Sequence, residues 1–168
     1  MKFLIVVDMQ NDFISGSLGS EQAKAIVPNV VERVKYFDGE VIFTRDTHFE
    51  NYLNTQEGIN LPVPHCIENS NGWQICDELK PFVKVALNKP TFGYTALAEY
   101  IRSLGVSIES IELCGLCTDI CVISNAIILK NEFPEIPIIV NSACSAGVSI
   151  ESHNNALNAM RAVQIQII

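Results

Sequence analysis

The sequence is short of positive charge. Its 168 residues include 11 Lys and Arg against 19 Asp and Glu, which gives a formal net charge of −8 at pH 7. A surface that binds nucleic acid needs a basic patch, so this balance argues against a nucleic-acid partner. The acidity indicates nothing about a substrate, because solubility alone is a sufficient explanation for a net charge of this size.

The sequence also lacks a membrane-spanning segment, internal repeats, low-complexity tracts and linkers. No apolar stretch is long enough to cross a bilayer, so we expect no membrane partner. The apolar run at 3–7 is too short for a secretory signal and stops at Asp8, which favours a cytoplasmic location. We therefore expect the six cysteines to be reduced thiols and not a disulfide framework.

Apolar residues, in contrast, are abundant. They make up 48% of the chain, whereas charged residues make up only 18%. A chain of this length and composition can bury one sizeable core, so we predict a single domain over residues 1–168.

Short apolar runs rich in β-branched residues alternate with segments of helical periodicity. The apolar runs predict buried strands at 3–7, 41–44, 110–114 and 138–140, with further strands at 83–87 and 163–168. The helical pattern covers 21–37, 95–103, 119–130 and 153–162. This alternation indicates a three-layer α/β/α fold with a central, mostly parallel sheet. Ligands of such sheets bind at the carboxyl ends of the strands.

Two residues that follow predicted strands are candidates for chemistry. Asp8 ends the first strand, where a carboxylate can act as a base or a metal ligand, although Asp is also common as a turn or N-cap residue. Cys121 lies near the start of the helix predicted at 119–130. Because helix N-termini stabilise anions, we expect Cys121 to be readily deprotonated to a nucleophilic thiolate.

The turn before Cys121 offers backbone N–H groups, including those of Cys117 and Cys121, that could hold an oxyanion. The alternative for a cysteine in apolar surroundings is a small buried hydrophobe, and we expect that role for Cys114, Cys117 and Cys144. Cys114 and Cys117 also form a CxxC pair, which leaves a thiol sensor or a zinc-binding module as a third possibility. Zinc would need a second such pair, and Cys66 and Cys76 are too far apart to supply it.

The loop that follows the second predicted strand contains two of the three histidines. Its candidate metal ligands are Asp46, His48, Glu57 and His65. Nitrogen and oxygen donors without sulfur suit Zn²⁺, Mn²⁺ or Fe²⁺. The alternative is a polar surface loop. Lys89 lies beyond the strand predicted at 83–87 and could stabilise nearby anions, although a loop lysine is more often a solvated charge; Lys84 is its competitor and is predicted to lie in that strand.

Four segments together resemble the isochorismatase-like cysteine hydrolases and, within them, the nicotinamidases. They are Val-Asp-Met-Gln-Asn-Asp-Phe at 7–13, Thr-Arg-Asp-Thr-His at 44–48, Lys-Pro at 89–90, and Cys-Gly-x-x-Thr-Asp-x-Cys-Val at 114–122. The order and separation of these segments are similar to the family pattern, and the resemblance covers nearly the whole chain.

The resemblance implies a catalytic triad of Asp8, Lys89 and Cys121. It also implies that the amides of Cys117 and Cys121 form the oxyanion hole, and that a cis peptide bond joins Leu116 to Cys117.

Nicotinamidases hold a divalent metal beside the triad. The resemblance assigns this ion, zinc with manganese or iron as alternatives, to Asp46, His48, Glu57 and His65. Glu57 is included because Asn54 stands where many members carry a histidine ligand. Phe13 is expected to contact the substrate ring, but the segment 61–63 has no aromatic residue to sandwich that ring against it.

The function implied is a cysteine-dependent amidase of NAD salvage that converts nicotinamide to nicotinate and ammonia through a thioester. Another small amide, a ureido compound or an isochorismate-type vinyl ether is the alternative substrate on the same fold. Members of the family are commonly dimers or tetramers, so we expect a homo-oligomer.

Overall fold

Six parallel strands form one sheet, and its centre lies between β1 and β4. The computed structural model describes residues 1–168. The strands are β1 Lys2–Val7, β2 Glu40–Asp46, β3 Ala86–Lys89, β4 Ser110–Leu116, β5 Ile138–Ala146 and β6 Gln166–Ile167. Their spatial order is β3-β2-β1-β4-β5-β6, and every neighbouring pair is parallel.

Helices cover both faces of the sheet, which confirms the three-layer α/β/α prediction. The helices are α1 Asn11–Ile14, α2 Glu21–Lys35, α3 Gln56–Asn60, α4 Thr95–Ser103, α5 Ile123–Glu132 and α6 Ile150–Ala162. α2 packs on one face, and α4, α5 and α6 pack on the other. No helix combines the length and the apolar character that a bilayer crossing requires.

The alternation of side chains along β1 divides the core in two. Phe3 and Ile5 point into the cluster under α4, α5 and α6, whereas Leu4 and Val6 point into the cluster under α2. All four are fully buried. A strand that is apolar on both faces is typical of the centre of a parallel sheet, so the continuous apolar run at 3–7 has its physical explanation here.

The strand order reverses direction between β1 and β4. From β1 the chain builds outward through β2 to β3, and it then returns to place β4 on the other side of β1. The loops after β1 and β4 therefore leave in opposite directions and open a crevice at the carboxyl edge of the sheet. Ligand sites of doubly wound sheets lie at such a point.

Several predicted boundaries differ from the structure. The third strand begins at Ala86 and not at 83, because a 3₁₀ turn at Lys80–Phe82 occupies the chain before it. Lys89 is therefore the last residue of β3 and pairs in register with Asp46 of β2. The second part of β5, beyond 140, follows a break in the register between β4 and β5 that the apolar pattern did not reveal.

The other differences concern helices. The segment predicted as one helix at 119–130 is a π-helical turn at Thr118–Val122 followed by α5. The long loop after β2, expected to be irregular, contains a 3₁₀ turn at Tyr52–Asn54 and the short helix α3, whose first turn is capped by the Thr55 hydroxyl.

A buried ion pair ties α2 to the middle of β4. Glu112 is only 4% exposed and accepts hydrogen bonds from Nε and Nη2 of Arg33 and from Asn141. Arg33 is also stacked on the ring of Phe37. Charge-assisted hydrogen bonds are stronger than neutral ones, and here the Glu112 carboxylate that accepts them is buried.

We expect Glu112→Gln to lower the free energy of unfolding by about 1–3 kcal/mol, because it removes the charge that Arg33 pairs with in a buried setting. Urea denaturation measures the change. The matched control is Glu132→Gln, which removes the exposed partner of Arg102 and should cost less than about 1 kcal/mol. Equal losses in the two variants would contradict a special role for the buried pair.

Candidate active site

Asp8 lies at the carboxyl end of β1, inside the crevice. Its backbone has a φ of +48°, a left-handed conformation that Asp adopts more readily than most residues and that ends the strand. The carboxylate is fully buried. Its Oδ1 accepts a hydrogen bond from Thr44 Oγ1 at 2.7 Å, and its Oδ2 lies 2.7 Å from Lys89 Nζ.

Lys89 brings its ammonium group to this point from the edge of the sheet. Its side chain is fully buried and lies between three groups. Nζ is 2.7 Å from Asp8 Oδ2, 3.2 Å from Asp46 Oδ1 and 3.3 Å from Cys121 Sγ. Lys84, the competitor in the sequence, is exposed and lies outside β3.

Cys121 reaches the same point from β4. Gly115 allows β4 to pass close to β1, because a Cβ there would lie 2.1 Å from the carbonyl oxygen of Val7. The Leu116–Cys117 peptide bond is cis, as the resemblance implied. The chain then enters the π-helical turn that carries Cys121, whose side chain is buried beside Asp8 and Lys89.

The protonation state of Cys121 differs from the sequence prediction. Burial, together with the neighbouring Asp8 carboxylate, raises the pKa of the Cys121 thiol well above its ordinary value, and Lys89 offsets this only in part. Loss of solvent therefore favours the neutral thiol of Cys121, whereas the Lys89 ammonium favours the thiolate. Burial also raises the pKa of Asp8 while the Lys89 ammonium opposes that shift. A raised pKa makes this carboxylate a stronger proton acceptor.

Lys89 remains charged in this buried position. Burial opposes its charge, but Asp8, the Cys121 sulfur and Asp46 together outweigh that effect and hold the pKa of Lys89 well above its ordinary value. Lys89 thus supplies a buried ammonium group that contacts both the Asp8 carboxyl group and the Cys121 sulfur.

Four candidate metal ligands meet next to this triad. They are Asp46, His48, Glu57 and His65, and one donor atom from each lies within 4.8 Å of all the others. His48 Nε2 is 3.0 Å from Asp46 Oδ2 and 3.4 Å from Glu57 Oε1, and His65 Nε2 is 3.6 Å from each of those oxygens. Asp46 belongs to both groups, because its other oxygen contacts Lys89.

The chemistry of this cluster fits a divalent cation. His48 Nε2 is buried and makes no hydrogen bond of acceptable geometry. Although burial disfavours the charged ring, the Asp46 and Glu57 carboxylates raise the pKa of His48 to about 9, so the site attracts positive charge. His65 Nδ1 lies 2.8 Å from the carbonyl oxygen of Val63, which turns Nε2 toward the cluster in the arrangement typical of metal-binding histidines.

Both groups open onto one pocket of about 460 Å³. Asp46, Glu57 and His65 lie at its wall, and Cys117 and Cys121 are also part of the lining. The remaining residues are mostly apolar: Phe13, Leu18, Gly19, Ser20, Ala23, Leu61, Phe92, Leu116, Ile120, Gly147 and Val148. The Phe13 ring centroid is 5.5 Å from that of His65.

The cysteines do not form a second centre. All six are free. Cys114 is fully buried in the core cluster under α2, as predicted, and Cys144 is 5% exposed in the same cluster. Cys117 departs from the prediction of a buried hydrophobe, because it is half-buried and lines the pocket. The cluster at Asp46 is the only group of three or more potential metal ligands.

Three supporting residues were not singled out from the sequence. Tyr52 is 1% exposed and packs against His48 and His65, with ring centroids 4.7 and 5.0 Å away. Gln10 is fully buried, accepts a hydrogen bond from Asp46 N at 2.7 Å and donates one to Asp46 O at 2.9 Å. Asn125 contacts the Cys121 turn. Only Gln10 had a usable signal, as an amide directly after the Asp8 strand.

Comparison with known proteins agrees with this architecture. The family model for the isochorismatase domain matches residues 2–168. A nicotinamidase/pyrazinamidase from Mycobacterium tuberculosis is 26% identical over 100% of this chain and 98% of its own length. The crystal structure of a nicotinamidase/pyrazinamidase from Bacillus subtilis has a TM-score of 0.87 at 27% identity, covering 99% of this chain and 98% of the other. That of a pyrazinamidase from Pyrococcus horikoshii in complex with zinc has a TM-score of 0.80 at 26% identity, with the same coverage. The chain thus belongs to the isochorismatase family, and it is a hydrolase of that family.

Proposed function

We propose that this hydrolase is a nicotinamidase, which converts nicotinamide to nicotinate and ammonia through a thioester on Cys121. The observation that carries the proposal is that the Asp8–Lys89–Cys121 group and the four-ligand cluster open onto one pocket and share Asp46. Relatives named nicotinamidase or pyrazinamidase that match almost the whole chain support the same substrate class.

In the first half of the reaction Asp8 takes the proton of the Cys121 thiol, and the sulfur attacks the carboxamide carbon. Burial raises the pKa of both groups, so the thiol needs a base directly beside it to lose its proton. The amides of Cys117 and Cys121 hold the oxygen that becomes negative. Asp8 then delivers its proton to the nitrogen, the carbon–nitrogen bond breaks, and ammonia leaves.

In the second half a water molecule attacks the thioester carbon while Asp8 takes one of its protons. The carbon–sulfur bond breaks, the Cys121 sulfur takes up the proton held by Asp8, and the nicotinic acid formed releases its remaining acidic proton to solvent and leaves as nicotinate. Lys89 stays charged throughout and stabilises the negative charge that moves between Asp8 and Cys121, since it lies 2.7 Å from one and 3.3 Å from the other.

Asp46, His48, Glu57 and His65 would hold a divalent ion, and the zinc complex of the Pyrococcus horikoshii relative favours zinc. When bound, the ion would supply a Lewis-acid site for the ring nitrogen and so orient the substrate. Phe13, next to His65, would contact the face of the ring.

The pocket favours an uncharged substrate. No Lys or Arg side chain lines it, and Lys89 beneath it is already paired with Asp8 and Asp46. A carboxylate on the substrate could pair only with the divalent ion that the four-ligand cluster would hold, at the position proposed for the ring nitrogen. This argues for a neutral carboxamide such as nicotinamide, and against ureido acids and isochorismate.

We expect Cys121→Ser to lower kcat for ammonia release from nicotinamide by at least about a thousandfold, since the loss of a covalent nucleophile removes the main reaction path. Cys114→Ser is the matched control; its sulfur is buried away from the pocket, so kcat should stay near the wild-type value. Equal inactivation by both substitutions would favour a thiol centre built on the CxxC pair instead.

The second prediction concerns the affinity of the four-ligand cluster for zinc. Glu57→Gln should weaken zinc binding by at least about tenfold, because it removes one anionic donor of the four. The metal content after equilibration with buffered zinc measures the effect without reference to activity. Glu50→Gln, in the same loop and exposed, is the control. Unchanged affinity in the Glu57 variant would exclude this residue as a ligand.

Substrate charge gives a third test. We expect kcat/KM for nicotinamide to exceed that for an N-carbamoyl amino acid by at least about 100-fold, because no Lys or Arg lines the pocket and the carboxylate of the second compound could pair only with the ion proposed to hold the ring nitrogen. An ammonia assay with both compounds decides the point. Preferential turnover of the anionic compound would rule out the nicotinamidase proposal and retain the hydrolase.

A further inference from the structure

Lys89 and Cys121 are in contact, although the strands that lead to them are not neighbours in the sheet. Lys89 ends β3 and Cys121 follows β4, and β1 and β2 lie between those strands in the sheet. Their contact of 3.3 Å therefore cannot be set by strand pairing alone. Some other contact has to hold the loop after β3 against the turn after β4.

We infer that Asn125 is a positioning residue that holds the Lys89 loop and the Cys121 turn in register. Its side chain is fully buried in the first turns of α5. Nδ2 donates to the carbonyl oxygen of Cys121 at 2.8 Å and to that of Phe92 at 3.0 Å, and Oδ1 accepts from Tyr94 N at 3.0 Å.

This arrangement uses both amide hydrogens and the oxygen. Because two of its partners are carbonyl oxygens and the third is an N–H group, only this orientation of the amide satisfies all three. A buried amide with every hydrogen bond made restricts its partners strongly, since breaking any of the bonds leaves a polar group unpaired without water. Asn125 is thus a bridge between two segments and not only a local cap of one.

The loop is held at its other end by Lys89 itself. Lys89 Nζ donates to the carbonyl oxygen of Thr91 at 3.1 Å, just before the two residues that bond to Asn125. Gly93 passes so close to α5 that a Cβ there would lie 2.6 Å from Ile128 Cδ1. The loop from Lys89 to Tyr94 is therefore set by Lys89 on one side and by Asn125 on the other.

The nearest alternative is that Asn125 only satisfies the Cys121 carbonyl within its own helix. Ser124 shows how a smaller residue does this, because its hydroxyl donates to the carbonyl oxygen of Ile120 four residues earlier at 2.6 Å. A serine at 125 could make the same bond to Cys121 but could not reach Phe92 or Tyr94. The two roles can therefore be separated by substitution.

The test compares Asn125→Ser with Asn125→Leu and with a matched control. Two rates are measured: kcat with nicotinamide, and alkylation of Cys121 by iodoacetamide, followed by mass spectrometry of its peptide. Alkylation needs the thiolate that Lys89 stabilises but needs no amide substrate. Displacement of reacting groups by about 1 Å can cost about 100-fold in rate, so we expect Asn125→Ser to lower kcat by about 10- to 100-fold and to slow alkylation.

Asn141→Leu is the control, because Asn141 also makes two side-chain hydrogen bonds, to Glu112 and from Cys144 N, but far from the triad. It should lower stability and leave both rates unchanged. Asn125→Leu should behave like Asn125→Ser; if it fails to fold, the serine variant, which keeps the bond to Cys121, carries the test.

The inference is overturned if either rate of Asn125→Ser equals that of the wild-type protein, because the local cap would then be sufficient. It is also overturned if Asn141→Leu slows both rates equally. The inference rests on the proposed function only through the role of Cys121. Wild-type protein that releases no ammonia from nicotinamide would refute the nicotinamidase proposal, and the alkylation rates would still decide the role of Asn125.

Discussion

Lys89 carries an ammonium group into the carboxyl edge of the sheet, where no water reaches it and where Asp8 and Asp46 lie within 3.2 Å. An unpaired charge in this position would be far too costly, so the lysine depends on both carboxylates and they depend on it. The ion pairs join the ends of β1, β2 and β3. The rest of the site is arranged around this charge.

Asp46 extends the same network to the candidate metal ligands. One of its oxygens contacts Lys89 and the other faces His48 and His65, so a single carboxylate separates the two positive regions of the site. Gln10 holds the backbone of Asp46 on both its N–H and its carbonyl side. A shift of Asp46 would therefore disturb both the proposed catalytic group around Lys89 and the proposed metal site at His48 and His65.

The sequence was most informative where the signal is local or repeats along the chain. The apolar run at 3–7 predicted the central strand, and the helix at 95–103 has the predicted bounds. It was less informative where partners distant in the chain decide. The 3₁₀ turn at Lys80–Phe82 delays the start of the third strand, which pairs with β2 over Ala86–Lys89. The sequence pattern does not distinguish the π-helical turn at Thr118–Val122 from an α-helix, because over five residues the two have nearly the same spacing of apolar side chains.

The sequence by itself determined the residue types of the site and their order, and through them the family. Only the tertiary structure decided their state. The place of Cys121 near a helix start predicts an acidic thiol, but burial and the neighbouring Asp8 raise the pKa of that thiol, because desolvation depends on every segment packed around the sulfur. In the same way no local pattern marks Asn125, since its three partners lie in two segments that only the folded chain brings together.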